Sequence, residues 1–147
     1  MSLITIDRVS RLFEDTQRGK SVVALDNVSV SVARNEFLCL LGPSGCGKST
    51  LLNMIAGFDH PTTGTVSVGG QVVTQPGADR GVVFQQANLM PWLPVWENVA
   101  FHLQMRGASK AERRERAQRF IEMVGLKGFE NHFPSELSGG MNQRVGI

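Results

Sequence analysis

Little in this chain serves cross-linking, membrane insertion or bulk electrostatics. Two cysteines cannot build a disulfide framework, and no signal-like segment opens the chain, so a reducing compartment is the expectation. No run approaches the roughly 18 apolar residues of a transmembrane helix, which excludes such a helix within this sequence. The formal charge of +2 is too small to argue for a nucleic-acid surface. No internal repeat or low-complexity tract is visible. What is present is globular: 147 residues, 41% apolar and 19% charged, enough for about one domain that buries most of its surface. Glycine is high, at 16 residues, so the backbone is asked to turn tightly or to approach something closely. Composition alone points to an intracellular α/β-type domain.

Leu3-Ile4-Thr5-Ile6 reads as a short strand, residues 14–20 as a polar, mobile stretch, and Val22-Val23-Ala24-Leu25 as a second apolar run. Val28, Val30 and Val32 alternate with serines, the period of a strand buried on one face. Phe37-Leu38-Cys39-Leu40-Leu41 and Gly81-Val82-Val83-Phe84 are continuous apolar runs that predict strands covered on both faces, as in a parallel sheet, with Cys39 a small core residue. Leu51, Leu52, Ile55 and Ala56 recur at helical spacing before Gly57, a helix stop. Gly69-Gly70 between two β-rich segments predicts a hairpin. Helical patterns follow over 96–106 and after Ser109, where Ser109 and Glu112 are set as a capping box and Ala117, Phe120, Ile121 and Val124 form the stripe. The charges between Lys110 and Arg119 include Glu112–Arg116 spacing suited to a solvated face. Leu137-Ser138-Gly139-Gly140 starts a last helix, which stops uncapped at Ile147 after barely two turns and reads as a truncated chain.

Gly42-Pro43-Ser44-Gly45-Cys46-Gly47-Lys48-Ser49-Thr50 fits G-x-x-x-x-G-K-[ST], the phosphate-binding loop. Glycines at 42, 45 and 47 let successive N–H groups converge on a phosphate, and the following helix adds its N-terminal dipole. Lys48 supplies positive charge to the β- and γ-phosphates, and the Ser49 hydroxyl is placed for Mg²⁺. The plain alternative is a glycine-rich turn between strand and helix. Such a match arises by chance in about one chain in two hundred of this length, and the flanking strand and helix patterns favour nucleotide binding. Cys46, beside a helix N-terminus, is expected to be a reactive thiol.

From here the order of motifs resembles the ATP-binding subunits of ABC transporters: Val83-Phe84-Gln85 before a Pro/Trp-rich loop, then Leu137-Ser138-Gly139-Gly140 about ninety positions after the phosphate loop. Residues 80–92 and 97–101 are similar to the nitrate, sulfonate and taurine importer branch. The resemblance implies an α/β phosphate-loop core with an antiparallel β portion over residues 1–85, and a helical subdomain carrying the signature over 86–147. It implies that Gln85 contacts Mg²⁺ and the attacking water, making Lys48 and Gln85 the catalytic candidates and Ser49 and Gln85 the metal ligands. Residues 42–50 would hold the phosphates of ATP, and Ser138, Gly139 and Gly140 would cap the γ-phosphate held by a second copy. Phe13 matches the aromatic that stacks on adenine, a core position being the alternative. Met141 stands where the family usually has glutamine.

The same resemblance implies a homodimer docked on an ABC permease through residues about 86–105. Met90, Trp92, Leu93 and Trp96 are the candidate anchors there, against the alternative that they pack the subdomain's own core. A periplasmic or extracellular solute-binding protein would act indirectly, and no nucleic acid is expected. The subunit would sit peripherally at the cytoplasmic face of a bacterial-type inner membrane. The family's Mg²⁺-binding aspartate and catalytic glutamate would fall beyond Ile147, and His60, His102 and His132 do not match its switch histidine. This chain is therefore expected to bind ATP but turn it over at background, the alternative reading being an inactive nucleotide-binding fragment. A GTPase would need N-K-x-D, which does not occur, and a DNA-repair ABC ATPase would carry a long insertion before the signature.

Overall fold

The computed structural model describes residues 2–15 and 20–147, which fall into two compact units, 1–82 and 83–147. In the first unit, β1 (Ser2–Asp15) and β2 (Lys20–Ala33) form a long antiparallel ribbon; β3 (Thr63–Val68) joins the other edge of β1, and β4 (Gln71–Val72) completes the order β2-β1-β3-β4. The two apolar segments read as separate near residues 22–32 are one strand. Register shifts along β1 bend the ribbon, and Ser10 and Ser29 hydroxyls accept the N–H groups of Asn27 and Arg8, both at positive φ. Of the stretch expected to be mobile, residues 16–19 lie outside the described residues; Glu14, Asp15 and Lys20 belong to the strands.

Helix α1 (Lys48–Ala56) packs Leu51 and Met54 against Ile6, Val9, Leu25, Val66 and Val73, the core of this unit. Each fully buried aliphatic side chain contributes about 1.5–3 kcal/mol. Gly57 ends the helix as expected, at φ 84°. Its N–H donates to the Met54 carbonyl (3.1 Å) and Phe58 N–H to the Asn53 carbonyl (2.8 Å), a left-handed cap that turns the chain back toward β1. The Gly69-Gly70 hairpin also forms, joining β3 to β4.

Two expectations fail. Neither residues 37–41 nor residues 81–84 form a strand, and the sheet is wholly antiparallel. Phe37 and Leu41 are 90% and 91% exposed, and Cys39 is exposed rather than a core residue. A run that is apolar on both faces becomes a strand only where neighbours take up its N–H and C=O groups, and no described strand pairs with either run.

In the second unit, the helical pattern over 96–106 resolves into two short helices, α2 (Val95–Val99) and α3 (Phe101–Met105), joined at Ala100. The start of α2 is capped by backbone: Val95 and Trp96 N–H groups donate to the carbonyls of His132 (2.9 Å) and Glu130 (3.0 Å). The Glu130 carboxylate accepts from Gly128 N–H (2.9 Å) and from Gln118; these donors, that of Gly128 foremost, hold its carboxyl below the ordinary value. Helix α4 (Lys110–Met123) starts at Ser109, whose hydroxyl accepts Glu112 N–H (3.2 Å). The Glu112 carboxylate pairs with Arg116 at 2.9 Å. Ala117 and Ile121 are buried, while Phe120, expected in the same stripe, is half exposed. The core gathers Val95, Trp96, Ala100, Leu103, Ala117, Ile121, Leu126 and Val145. Helix α5 (Gly139–Val145) follows a 3-10 turn at Pro134–Glu136, and Gly146 N–H continues its ladder by donating to the Asn142 and Gln143 carbonyls.

Candidate functional site: a phosphate loop and two companion loops

Residues 42–50 form a loop running into the first turn of α1. The loop is anchored from below. Gly47, at φ 92°, lies so close to β2 that a Cβ there would stand 2.5 Å from the Ala24 carbonyl oxygen and 2.8 Å from Leu25 Cδ2. Only glycine meets both demands, and its carbonyl accepts the Leu51 N–H (2.9 Å), the first hydrogen bond of the helix. Burial of Leu51 and Met54 then fixes the axis of α1, and with it the direction of the helix dipole. No acidic side chain occupies the first turn to neutralise that positive end.

The Lys48 ammonium folds back into the loop. It donates to the carbonyls of Gly42 (2.8 Å) and Pro43 (2.7 Å) and lies 3.4 Å from Cys46 Sγ. An ammonium carries three donors, and this loop offers one acceptor to each. Ser44, Gly45, Cys46 and Ser49 are exposed, while Lys48 and Thr50 are half-buried. Cys46 Sγ also faces Gly42, where a Cβ would come within 2.6 Å of the sulfur.

Phe13 lies on β1 opposite Val22 and is 42% exposed, which removes the core alternative. One face of its ring is covered by the Arg11 guanidinium, 4.5 Å from the centroid. Sequence reasoning missed Arg11 and its partner Asp59. The available signal was the two-residue spacing of Arg11 and Phe13, which puts both on one face of a strand.

The second unit holds Gln85 and the 138–140 segment. Ser138 is the N-cap of α5, its hydroxyl accepting Met141 N–H (3.3 Å), and Gly139 and Gly140 have open space where a Cβ would stand. Met141 is half-buried against the helical core, so the unusual fifth residue serves packing. Gln143 Nε2 donates to the Gln85 carbonyl, tying the start of the companion loop to α5. Farther along that loop, Asn98 accepts Met90 N–H (2.8 Å) and donates to the Leu93 carbonyl (2.8 Å), a brace the sequence did not announce. The brace leaves Trp92 69% exposed. Trp96, proposed as a second anchor, is instead buried at 4% with Lys110, Arg113 and Arg114 around its ring, so it packs the subdomain's own core.

The ABC transporter family model matches residues 25–147. The chain is 54% identical over 144 residues to an uncharacterized ABC transporter ATP-binding protein of Methanocaldococcus jannaschii, covering 98% of this chain and 53% of that one. It is 57% identical over 132 residues to a taurine import ATP-binding protein of Burkholderia thailandensis (90% and 50% covered). It is 51% identical over 144 residues to a nitrate import ATP-binding protein of Synechocystis (98% and 53%). A dimeric ATP-binding cassette solved in a post-hydrolysis state with ADP and Pi superposes with a TM-score of 0.84 at 38% identity, covering 97% of this chain and 66% of that one. A second dimeric cassette, bacterial, gives 0.85 at 37% identity (98% and 67%). The chain spans about half the length of the curated relatives it matches. With a phosphate loop built on a β2 floor and a serine-capped glycine pair opening α5, the chain belongs to the ABC transporter ATP-binding family.

Proposed function

We propose that this chain binds ATP through residues 42–50 as part of an energy-coupling subunit of an ABC importer. The observation that carries the reading is Lys48: its ammonium is held inside the loop by two carbonyl oxygens, beside a helix start with no carboxylate to oppose it. A triphosphate entering the loop exchanges those carbonyls for phosphate oxygens, a charge-assisted and stronger set of bonds. The Ser49 hydroxyl, exposed in the first turn of α1, is a hard oxygen donor of the kind Mg²⁺ takes, and the bound ion would neutralise charge on the phosphates. Gln85 is the proposed companion ligand and water-positioning group, and Phe13 the proposed adenine platform. Ser138, Gly139 and Gly140 are assigned to the γ-phosphate held by a second copy, in keeping with the dimeric cassettes to which the chain is similar.

For the whole protein we propose ATP hydrolysis driving uptake of a small anion such as nitrate, a sulfonate or taurine, as the names of the relatives support. Lys48, Ser49 and Gln85 offer no general base, so this chain is assigned binding, with turnover at background. No described helix is long and apolar enough to cross a membrane, and the proposed place is the cytoplasmic face of the inner membrane beneath a permease. Residues 86–105 supply the docking surface. A cavity of about 560 Å³ lined by Met90, Asn98, His102, Phe120 and Met123, together with the exposed Trp92, supports that assignment. A solute-binding protein outside the membrane is the indirect partner.

Alkylation of Cys46 tests nucleotide binding. Cys39 is exposed as well, so labelling is read by peptide mass. Mg-ATP at about a hundred times its dissociation constant is expected to slow modification of Cys46 up to about a hundredfold while leaving Cys39 unchanged. Protection is lost in Lys48→Ala. Equal labelling of Cys46 with and without ATP would contradict the reading.

A further inference from the structure

Arg11 is bound from two sides. Its Nη2 lies 2.8 Å from Asp59 Oδ1 and its Nε donates to Asp59 Oδ2 at 3.1 Å, a side-on, two-point pair with only about a quarter of each side chain exposed. Asp59 is itself fixed, since Oδ1 also accepts His60 N–H (2.8 Å). The loop that carries it is laced to β1: Thr62 N–H donates to the Ser10 carbonyl (2.8 Å), and Leu12 N–H donates to Thr62 Oγ1 (3.0 Å). The guanidinium is therefore held as an oriented plane, and that plane sits 4.5 Å from the Phe13 centroid. The anchoring loop begins at the C-terminal cap of α1, the helix that opens on the phosphate loop.

We propose that Arg11, clamped by Asp59, is a positioning residue that makes Phe13 a fixed, single-faced platform for the base of the bound nucleotide. The inference rests on the reading of Phe13 as the base-stacking residue and adds what holds it there. A phenyl ring on an exposed strand otherwise turns about χ1 and loses that freedom only on binding. With the cation on one face, the ring is ordered beforehand and a single face is left to stack. The cation also draws electron density from the ring, which favours contact with an electron-rich purine on the opposite side.

Calorimetric titration with Mg-ATP and with inorganic tripolyphosphate, which has no base, separates the roles. Arg11→Leu is expected to weaken ATP about two- to fivefold, the range a cation–aromatic contact of this exposure supports, and to leave tripolyphosphate unchanged. Asp59→Asn shifts ATP in the same direction by less. Adding Arg11→Leu to Phe13→Ala produces no further loss. Equal weakening of both ligands would make Arg11 merely structural and overturn the proposal. Unchanged ATP affinity in Arg11→Leu, with a loss in Phe13→Ala, overturns the role of Arg11 and leaves that of Phe13 standing. No loss in Phe13→Ala overturns the stacking reading and this role with it. Arg11→Lys keeps the ion pair without the planar stack and carries the same test if the leucine variant does not fold: loss of ATP alone supports the proposal, and parity of the two ligands overturns it.

Discussion

At Gly47 the phosphate loop meets β2 with no room for a methyl group, whereas at Gly45 the same left-handed backbone faces open space. The two glycines therefore separate conformational strain from crowding. Gly45→Ala is expected to cost about 1–2 kcal/mol, the left-handed penalty alone. Gly47→Ala is expected to exceed it by about 1–3 kcal/mol, the range for overpacking. Urea denaturation of the two variants checks this, and equal midpoints would mean that the loop is not seated on β2. At this scale the phosphate loop was legible because its residue types are dictated by backbone chemistry: each glycine and the lysine answers a local demand. The pairing of Arg11 with Asp59 was not, because partners 48 positions apart leave no local trace, although the two-residue spacing of Arg11 and Phe13 did place those two on one strand face. The brace made by Asn98 escaped for a related reason, since an asparagine in a helical pattern looks like an ordinary polar face until its loop is folded over it.

Among the elements, those that satisfy their own backbone were read correctly. Helix α1 with Gly57, α4 with Ser109, the Gly69-Gly70 hairpin and α5 with Ser138 each carry their stop or start signal within a few residues. Residues 37–41 and 81–84 have the composition of parallel strands, but such strands exist only through partners elsewhere, and the described residues supply none. The division between α2 and α3 at Ala100 was equally hidden, because no glycine or proline marks it. The two tryptophans give the element-scale prediction. Trp96→Ala removes a buried indole from the helical core and is expected to cost about 3–5 kcal/mol. Trp92→Ala is expected to change stability by no more than about 0.5 kcal/mol while weakening association with the proposed permease partner. Denaturant midpoints for both, with co-purification of the proposed permease partner for Trp92→Ala, check the assignment. A large stability loss at Trp92 would place that ring in packing rather than docking.

For the molecule as a whole, the residues proposed to bind nucleotide are divided between two compact units, the phosphate loop and Phe13 lying in the first and Gln85 and the serine-capped glycines in the second. The first unit carries its own core beneath α1, drawn from β1, β2 and β3, so the loop has a floor built from described residues alone. This floor is proposed to suffice for residues 42–50 to take up a triphosphate. Thermal unfolding of the protein with and without Mg-ATP, beside Lys48→Ala, tests it most directly. Ligand at about a hundred times its dissociation constant stabilises the folded state by about 2.7 kcal/mol, a rise of several degrees in midpoint for a chain of this size. That rise is expected in the wild type and is absent in Lys48→Ala. A midpoint indifferent to ATP, or one that rises equally in both proteins, would contradict it.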